Sequence, residues 1–244
     1  MQSVFSGDTL LTIMNHRFGK VVVIALGGSV IFPNNIDSDF LRRFRLFIRD
    51  QVSRYQRKFL IVAGGGKICR AYQQAASEVI QLPSEDQDWL GIHTTRCNAQ
   101  LLRSVFRDIA NPVVIDERYK VRTLRYPVTI ASGWRPGNST DYIAFALAED
   151  FGVDEVVVAG KPKYVYTKDP RKYKSAKPLT LISWKEYRKL IPRKWVPGAH
   201  APVDSVAARL GQEEGISAFV IGGTDLKNFQ DMLNGKEFRG TMIG

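Results

Sequence analysis

The sequence predicts an α/β protein built on a mostly parallel sheet with helices on both faces. Three observations carry this. Short apolar runs recur along the chain, VVVIAL (21–26), FLIVA (59–63) and PVTIA (127–131) among them. Segments with apolar residues at helical spacing alternate with these runs, and that alternation is the signature of βαβ units. Glycine-rich turns follow three of the runs: LGGSVI (26–31), GGGK (64–67) and SGWRPGNSTD (132–141).

The elements follow in order. Residues 20–26 form a strand, an apolar run too short for a helix. Helix 37–57 carries Phe40, Leu41, Phe44, Phe47, Ile48 and Val52 at helical spacing. Its many basic residues then form a solvated face. Strand 59–63 ends at the second glycine turn, which opens helix 67–81. Helix 89–109 comes next, then strands 112–116 and 127–131. Ser139 and Thr140 are favoured helix-capping types and open helix 139–151. Strand 155–159 precedes a hairpin-like YVYT at 164–167. Helices 183–191 and 203–214, strand 217–221 and helix 227–234 complete the chain.

At 244 residues the chain can bury a substantial core. The expected organisation is an N-terminal arm at 1–18 and one domain at 19–244, with a soft division near 150. No apolar run approaches a membrane span, and LLTIM (10–14) has no basic region before it, as a signal peptide would. The two cysteines, Cys69 and Cys97, cannot build a disulfide framework, so a cytoplasmic setting is expected. The net charge is +11, concentrated in 42–58 and in 161–177, where seven Lys or Arg face one Asp. Such a surface steers anions or binds nucleic acid. No zinc-finger, KH or RRM signature appears, so nucleic acid is not the expected partner. His93 and His200 stand apart from other ligating residues, and no protein metal cage is implied.

The glycine turns carry the chemistry. A turn rich in glycine that leads into a helix presents free N–H groups, which suit phosphate. In 132–141, Arg135 adds a fork of donors. The plain alternative is an ordinary strand-to-helix connection. None of the turns is a GxxxxGK[ST] loop or a GxGxxG fingerprint, so phosphate binding is indicated without the common nucleotide motifs. Three such turns at the carboxyl ends of neighbouring strands would form one site.

Together, LGGSVI, VAGGGKICRAY, DWLGIHTTRCNAQLL, SGWRPGNSTDYIA, YVYTKDPRKY and PGAHAPVDSVAA resemble, in order and spacing, the amino-acid kinase superfamily. In detail they look like its archaeal-type UMP kinases, from about Val21 to Ile243. The resemblance implies a three-layer α/β/α sandwich with a mostly parallel central sheet. It also implies an acceptor lobe at 19–150, a nucleotide lobe at 151–244, and a homo-oligomer, hexamer or dimer. The implied activity is transfer of phosphate from ATP, with Mg²⁺, to UMP. The small-molecule nucleotides are the implied partners, with no membrane involved.

The same resemblance implies site residues. Gly28, Ser29, Gly66, Arg70, Gly160, Lys161, Tyr166 and Asp169 match ATP-side positions. Gly65, Asp88, Trp134, Arg135, Pro136, Gly137, Asn138, Ser139 and Thr140 match UMP-side positions, Asp88 as acceptor for the ribose hydroxyls. Asp141 and Arg70 match the phosphoryl-transfer centre. Plainer roles stand beside these: Asp88 and Asp204 as helix caps, Arg70 as a surface residue, Tyr166 as a hairpin residue.

Two departures from the family pattern stand out. The superfamily lysine before the first glycine turn is Ala25 here. The family segment TNVDG reads Gly160, Lys161, Pro162, Lys163, Tyr164. A kinase acting on UMP is the leading expectation. The alternatives are a kinase for another small phosphorylated acceptor and a non-catalytic nucleotide- or oxyanion-binding protein. An RNA-binding protein using the basic face is a further reading.

Overall fold

The computed structural model describes residues 18–193 and 201–244. The LLTIM stretch, most of the expected arm and His200 lie outside them. The chain runs β1 (Val21–Leu26), α1 (Gly28–Ile31), α2 (Ser38–Tyr55), β2 (Lys58–Ala63), α3 (Gly66–Val79), α4 (Ser84–Val105) and β3 (Val128–Ala131). It continues through α5 (Thr140–Asp150), β4 (Glu155–Gly160), β5 (Val165–Tyr166), β6 (Pro178–Leu179), β7 (Leu181–Ile182) and α6 (Trp184–Leu190). After α6 come α7 (Ser205–Glu214), β8 (Ser217–Gly222), α8 (Leu226–Leu233) and β9 (Gly240–Ile243).

The main sheet has the order β3-β2-β1-β4-β8-β9-β7. All pairs from β3 to β8 are parallel, β9 runs antiparallel to β8, and β7 is parallel to β9. Side chains of successive strand residues point to opposite faces. Val23 and Ala25 of β1 and Leu60 and Val62 of β2 join one core, with Ile143–Ala148 of α5 and residues of α6 and α7. Val22, Ile24, Leu26, Phe59, Ile61 and Ala63 join the other, with α2, α4 and α8. The result is the expected three-layer α/β/α sandwich. One sheet passes through both halves of the chain, because β1 pairs with both β2 and β4.

Several elements differ from the sequence reading. Helix 89–109 starts five residues earlier, at Ser84. Helix 37–57 is Ser38–Tyr55, capped by the Asp37 side chain and closed by Gln56 in the left-handed conformation. Strand 112–116 does not form; the chain touches β3 only through isolated bridges at Ala110 and Ile115. Pro112 has no N–H to give a ladder, and Asn111 Oδ1 takes the Val113 N–H at 3.0 Å. The 164–167 hairpin is not local either. Val165 and Tyr166 pair with Leu179 and Pro178 across a long connection. The short strands β7 and β9 gave too little pattern to be seen.

Candidate functional site

β3, β2 and β1 are neighbours, so the three glycine turns lie side by side at their carboxyl ends. The first two interlock. A Cβ on Gly28 would lie 2.0 Å from Gly66 N and 2.5 Å from Gly64 O. No side chain fits that contact, and backbone N–H groups of both turns are thereby brought to one place. Gly27 N donates to Ala159 O at 2.9 Å, which joins the first turn to the end of β4.

Helix α4 organises the acceptor side. Asp88 Oδ2 accepts the Gly137 N–H at 2.8 Å. Asp88 is therefore not a helix cap: it lies inside α4, four residues past its start. Burial pushes its carboxyl up, and the Gly137 hydrogen bond partly offsets this. Gly137 has φ +81, which turns its N–H toward α4. One helical turn pair further on, Thr95 Oγ1 accepts the Gly133 N–H at 2.8 Å. Asn98 Nδ2 donates to Gly64 O at 2.8 Å and to Gly65 O at 3.1 Å. Positions 88, 95 and 98 share one α4 face at helical spacing. That face holds both the second and the third glycine turns. Thr95 and Asn98 were not singled out in the sequence, although DWLGIHTTRCNAQLL contains them.

The 134–140 loop ends in caps. Ser139 accepts the Tyr142 N–H at 2.9 Å and opens α5. Arg135 is exposed and reaches Asn138 Oδ1 at 3.3 Å, while Trp134 is buried. Pro136 precedes Gly137 at the bend, and Thr140 is the first residue of α5. Asp204 caps α7 by accepting the Val206 and Ala207 N–H groups, as the plain reading expects. Asp141 lies against it. Burial, and then the Asp204 charge, hold the Asp141 carboxyl well above the usual carboxylate range.

On the donor side a cleft of about 600 Å³ is lined by Ser29, Gly160, Lys161, Lys163, Asp225 and Arg239, among others. Asp225 caps α8 and pairs with Arg239 at 2.8 Å. Those contacts and the nearby Lys163 hold its carboxyl below the usual range. Gly65 is the N-cap of α3, Gly66 its first residue, and Arg70 an exposed residue of its second turn. Tyr166 and Asp169 do not line this cleft. Tyr166 stands on the two-stranded sheet with its ring edge-on to Tyr164 at 6.2 Å. Asp169 is held by Arg171 at 2.9 Å, which depresses its carboxyl to about 2. Among the described residues no group of three or more His, Cys, Asp or Glu could cage a metal, and no helix is long and apolar enough to cross a membrane.

Comparison with known proteins agrees with this architecture. The family model for the amino acid kinase family matches residues 20–222. A uridylate kinase of Pyrococcus abyssi is 34% identical over 226 residues, covering 91% of this chain and 98% of the relative. One from Thermococcus sibiricus is 33% identical, with the same coverage. The crystal structure of a uridylate kinase from Archaeoglobus fulgidus superposes with TM-score 0.79 at 31% identity, over 93% of this chain and 100% of that one. A UMP kinase structure from Bacillus anthracis shares the fold with TM-score 0.77 at 24% identity, over 94% and 97%. By sequence and by fold, this chain belongs to the amino acid kinase family.

Proposed function

We propose that this protein transfers the γ-phosphoryl group of ATP to UMP, giving UDP. The observation that carries the reading is the closure of the 132–141 loop onto α4 by Asp88, beside the interlocked glycine turns. The relatives named uridylate kinase support the same reading.

Phosphoryl transfer depends on positioning and on neutralising phosphate charge. In this reading the α1 turn at Gly28 and Ser29, with Gly66, Gly160 and Lys161, cradles the donor phosphates. Gly65, Asp88 and the loop from Trp134 through Arg135, Pro136, Gly137, Asn138 and Ser139 to Thr140 holds UMP. The base and ribose of ATP lie toward Tyr166 and Asp169. Arg70 supplies positive charge at the start of α3. Asp141, with its carboxyl pushed toward the protonated form, adds less repulsion to the phosphates than an ordinary carboxylate.

Mg²⁺ fits this site as part of the nucleotide complex. The described residues include no side-chain cage, so phosphate oxygens and water would hold it. When bound, it would supply neutralisation of the phosphate charge. A cytoplasmic homo-oligomer, dimer or hexamer, belongs to the same proposal.

The test is a coupled assay with ATP–Mg²⁺ and a panel of nucleoside monophosphates. UDP formation in clear preference to the other products is expected. Nucleotide binding without turnover would turn the reading to a non-catalytic nucleotide- or oxyanion-binding role, for which the altered 160–164 segment is the discriminating feature.

A further inference from the structure

Cations are favoured near the C-terminus of a helix and disfavoured near its N-terminus. Arg188 and Lys189 stand in the last turn of α6, as this rule expects, but Lys185 is the second residue of the helix. Positions 185, 188 and 189 share one face at helical spacing, where like charges destabilise one another. That face borders a cavity of about 340 Å³ shared with α7. Lys185, Arg188, Lys189 and Arg193 line it together with Ser205 and Gln212 of α7. No Asp or Glu is among the described lining residues, and none of them lines the donor cleft.

The chain offers little to balance these charges. Glu186 takes Lys189 at 2.7 Å in an exposed pair. Gln212 Oε1, which is uncharged, takes Arg188 Nη1 at 2.8 Å. Lys185 and Arg193 have no carboxylate partner among the described residues. Residues 194–200, KWVPGAH, which follow Arg193, contain no Asp or Glu to supply one. Asp204, next to Ser205, is engaged: its Oδ1 accepts the Val206 and Ala207 N–H groups and its Oδ2 the Ser139 hydroxyl. Ser205 Oγ is buried without a hydrogen-bond partner, which costs the desolvation of a polar group. Ser205 is also the first residue of α7, a helix of 10 residues, so the positive end of that helix adds to the field.

We propose that this cavity binds a small polyphosphate anion, a short chain of phosphates that is either free or the end of an organic molecule. The site is separate from the phosphoryl-transfer cleft and does not depend on which acceptor the protein uses. Phosphate oxygens accept from a guanidinium fork, from ammonium and from hydroxyl groups. One ligand would therefore give Lys185, Arg193 and Ser205 Oγ the partners they lack. Four positive charges around one cavity repel each other, and a chain of several negative charges relieves this more than a single carboxylate does. A nucleic acid strand fits less well. The charge converges on a concavity and does not track along a groove, and no aromatic side chain among the described lining residues offers a base a stacking platform.

The experiment titrates inorganic triphosphate, without Mg²⁺, into the full-length protein by calorimetry. Wild type is compared with Lys185→Gln/Arg193→Gln, with Ser205→Ala and with Lys163→Ala, the last altering the donor cleft alone. The double variant should weaken binding at the cavity by about tenfold or more, since two charge-assisted contacts are lost. Ser205→Ala should weaken it less, and Lys163→Ala should leave it in place. Without ligand the double variant should melt at or above the wild-type temperature, because like charges on one helix face are removed. The component lost in the double variant belongs to the cavity, and ATP tells the two sources apart. If ATP shows the same component, the chain is also read at the end of an organic molecule; if it does not, only the free chain enters. A folded double variant that binds triphosphate as the wild type does would overturn the proposal. So would an equal loss in Lys20→Gln/Arg43→Gln, two exposed residues that line neither cavity, since net charge would then explain the effect. Binding of oligouridylate more tightly than triphosphate, lost in the double variant, would assign the surface to nucleic acid instead.

Discussion

Ser139 Oγ donates a hydrogen bond to Asp204 Oδ2 while accepting the Tyr142 N–H, so one hydroxyl caps α5 and binds it to the cap of α7. The two residues are 65 positions apart in the chain. The acceptor loop is thereby anchored at both ends: by Asp88 to α4, and by Ser139 to the α7 cap. Asp141, in the first turn of α5, is brought beside Asp204 by the same arrangement, and the pair of carboxylates follows from the pair of caps.

Ser139→Ala removes both bonds. It should cost about 1–2 kcal/mol, since a cap is lost and the Asp204 carboxylate loses a donor. Denaturant unfolding at constant slope measures this. A change below about 0.5 kcal/mol, the level of an ordinary surface substitution, would show that water replaces the hydroxyl fully.

Asp88→Ala should weaken UMP binding by on the order of 1.5–3 kcal/mol, because a charged acceptor is lost. Calorimetry reads it directly. Asp88→Asn keeps an oxygen for the Gly137 N–H and should lose less. If the two variants bind equally poorly, the charge matters and the loop contact does not. If wild type shows no UMP binding, the acceptor assignment fails.

Gly28→Ala should unfold or severely destabilise the protein, by more than about 4 kcal/mol, since its Cβ would meet backbone of Gly64 and Gly66 and not a movable side chain. Gly19→Ala is the control, with open space around that position. A Gly28→Ala variant that melts near the wild type would mean that the two turns part easily, and that their interlock does not define the site.

The sheet was legible because β1, β2, β3, β4 and β8 are short apolar runs bounded by turns, and β1, β2 and β3 end in glycine turns. The contacts among those turns were not legible. Nothing in GGGK says that Gly28 will lie against Gly66, because the contact depends on strand order. Asp88 shows the same limit from the other side. Placed just before WLGI, Asp88 also reads as a cap, and only Ser84 as the true helix start reveals a residue free to reach across to Gly137. Thr95 and Asn98 were hidden because polar residues on a long helix usually face water. Strand 112–116 misled because apolar β-branched residues outweighed Pro112, which breaks the ladder.

Asp141→Asn should stabilise the protein without nucleotide. An anion in the first turn of a helix gains about 0.3–1 kcal/mol. Here burial and Asp204 oppose it, and the upward shift of the carboxyl shows that they win. A raised folded-state pKa means that the folded protein holds more protons than the unfolded chain. Stability is then lost as pH rises from the unfolded value, about 3.9, toward the folded one. The variant should therefore match the wild type near pH 3–4 and melt higher at pH 7, by about 2–4 °C per kcal/mol. Equal melting at both pH values would show that Asp141 is ionised without penalty.

The donor site should accept nucleoside triphosphates with little regard to the base. Lys161 and Lys163 line the cleft beside Ser29 and Gly160. The stem of Lys163 packs over Gly222 at the end of β8, and Asp225 feels its charge. Where relatives of this kind carry Asn and Asp, two ammonium groups stand instead, and an ammonium is a point charge that suits phosphate and cannot read a base edge. Asp169 is already engaged by Arg171, which leaves fewer acceptors to orient a particular nucleoside. ATP and GTP should then differ by less than about tenfold in kcat/KM, roughly 1.4 kcal/mol. Replacing 160–164 with Thr, Asn, Val, Asp and Gly should raise the preference for ATP. Lys163→Ala should raise KM for both donors alike and make it less sensitive to salt, since screening acts on the charge that was removed. A wild type with a strong preference for ATP over GTP would show that base recognition lies elsewhere in the nucleotide half, on residues such as Tyr166, and that the two lysines serve only the phosphates.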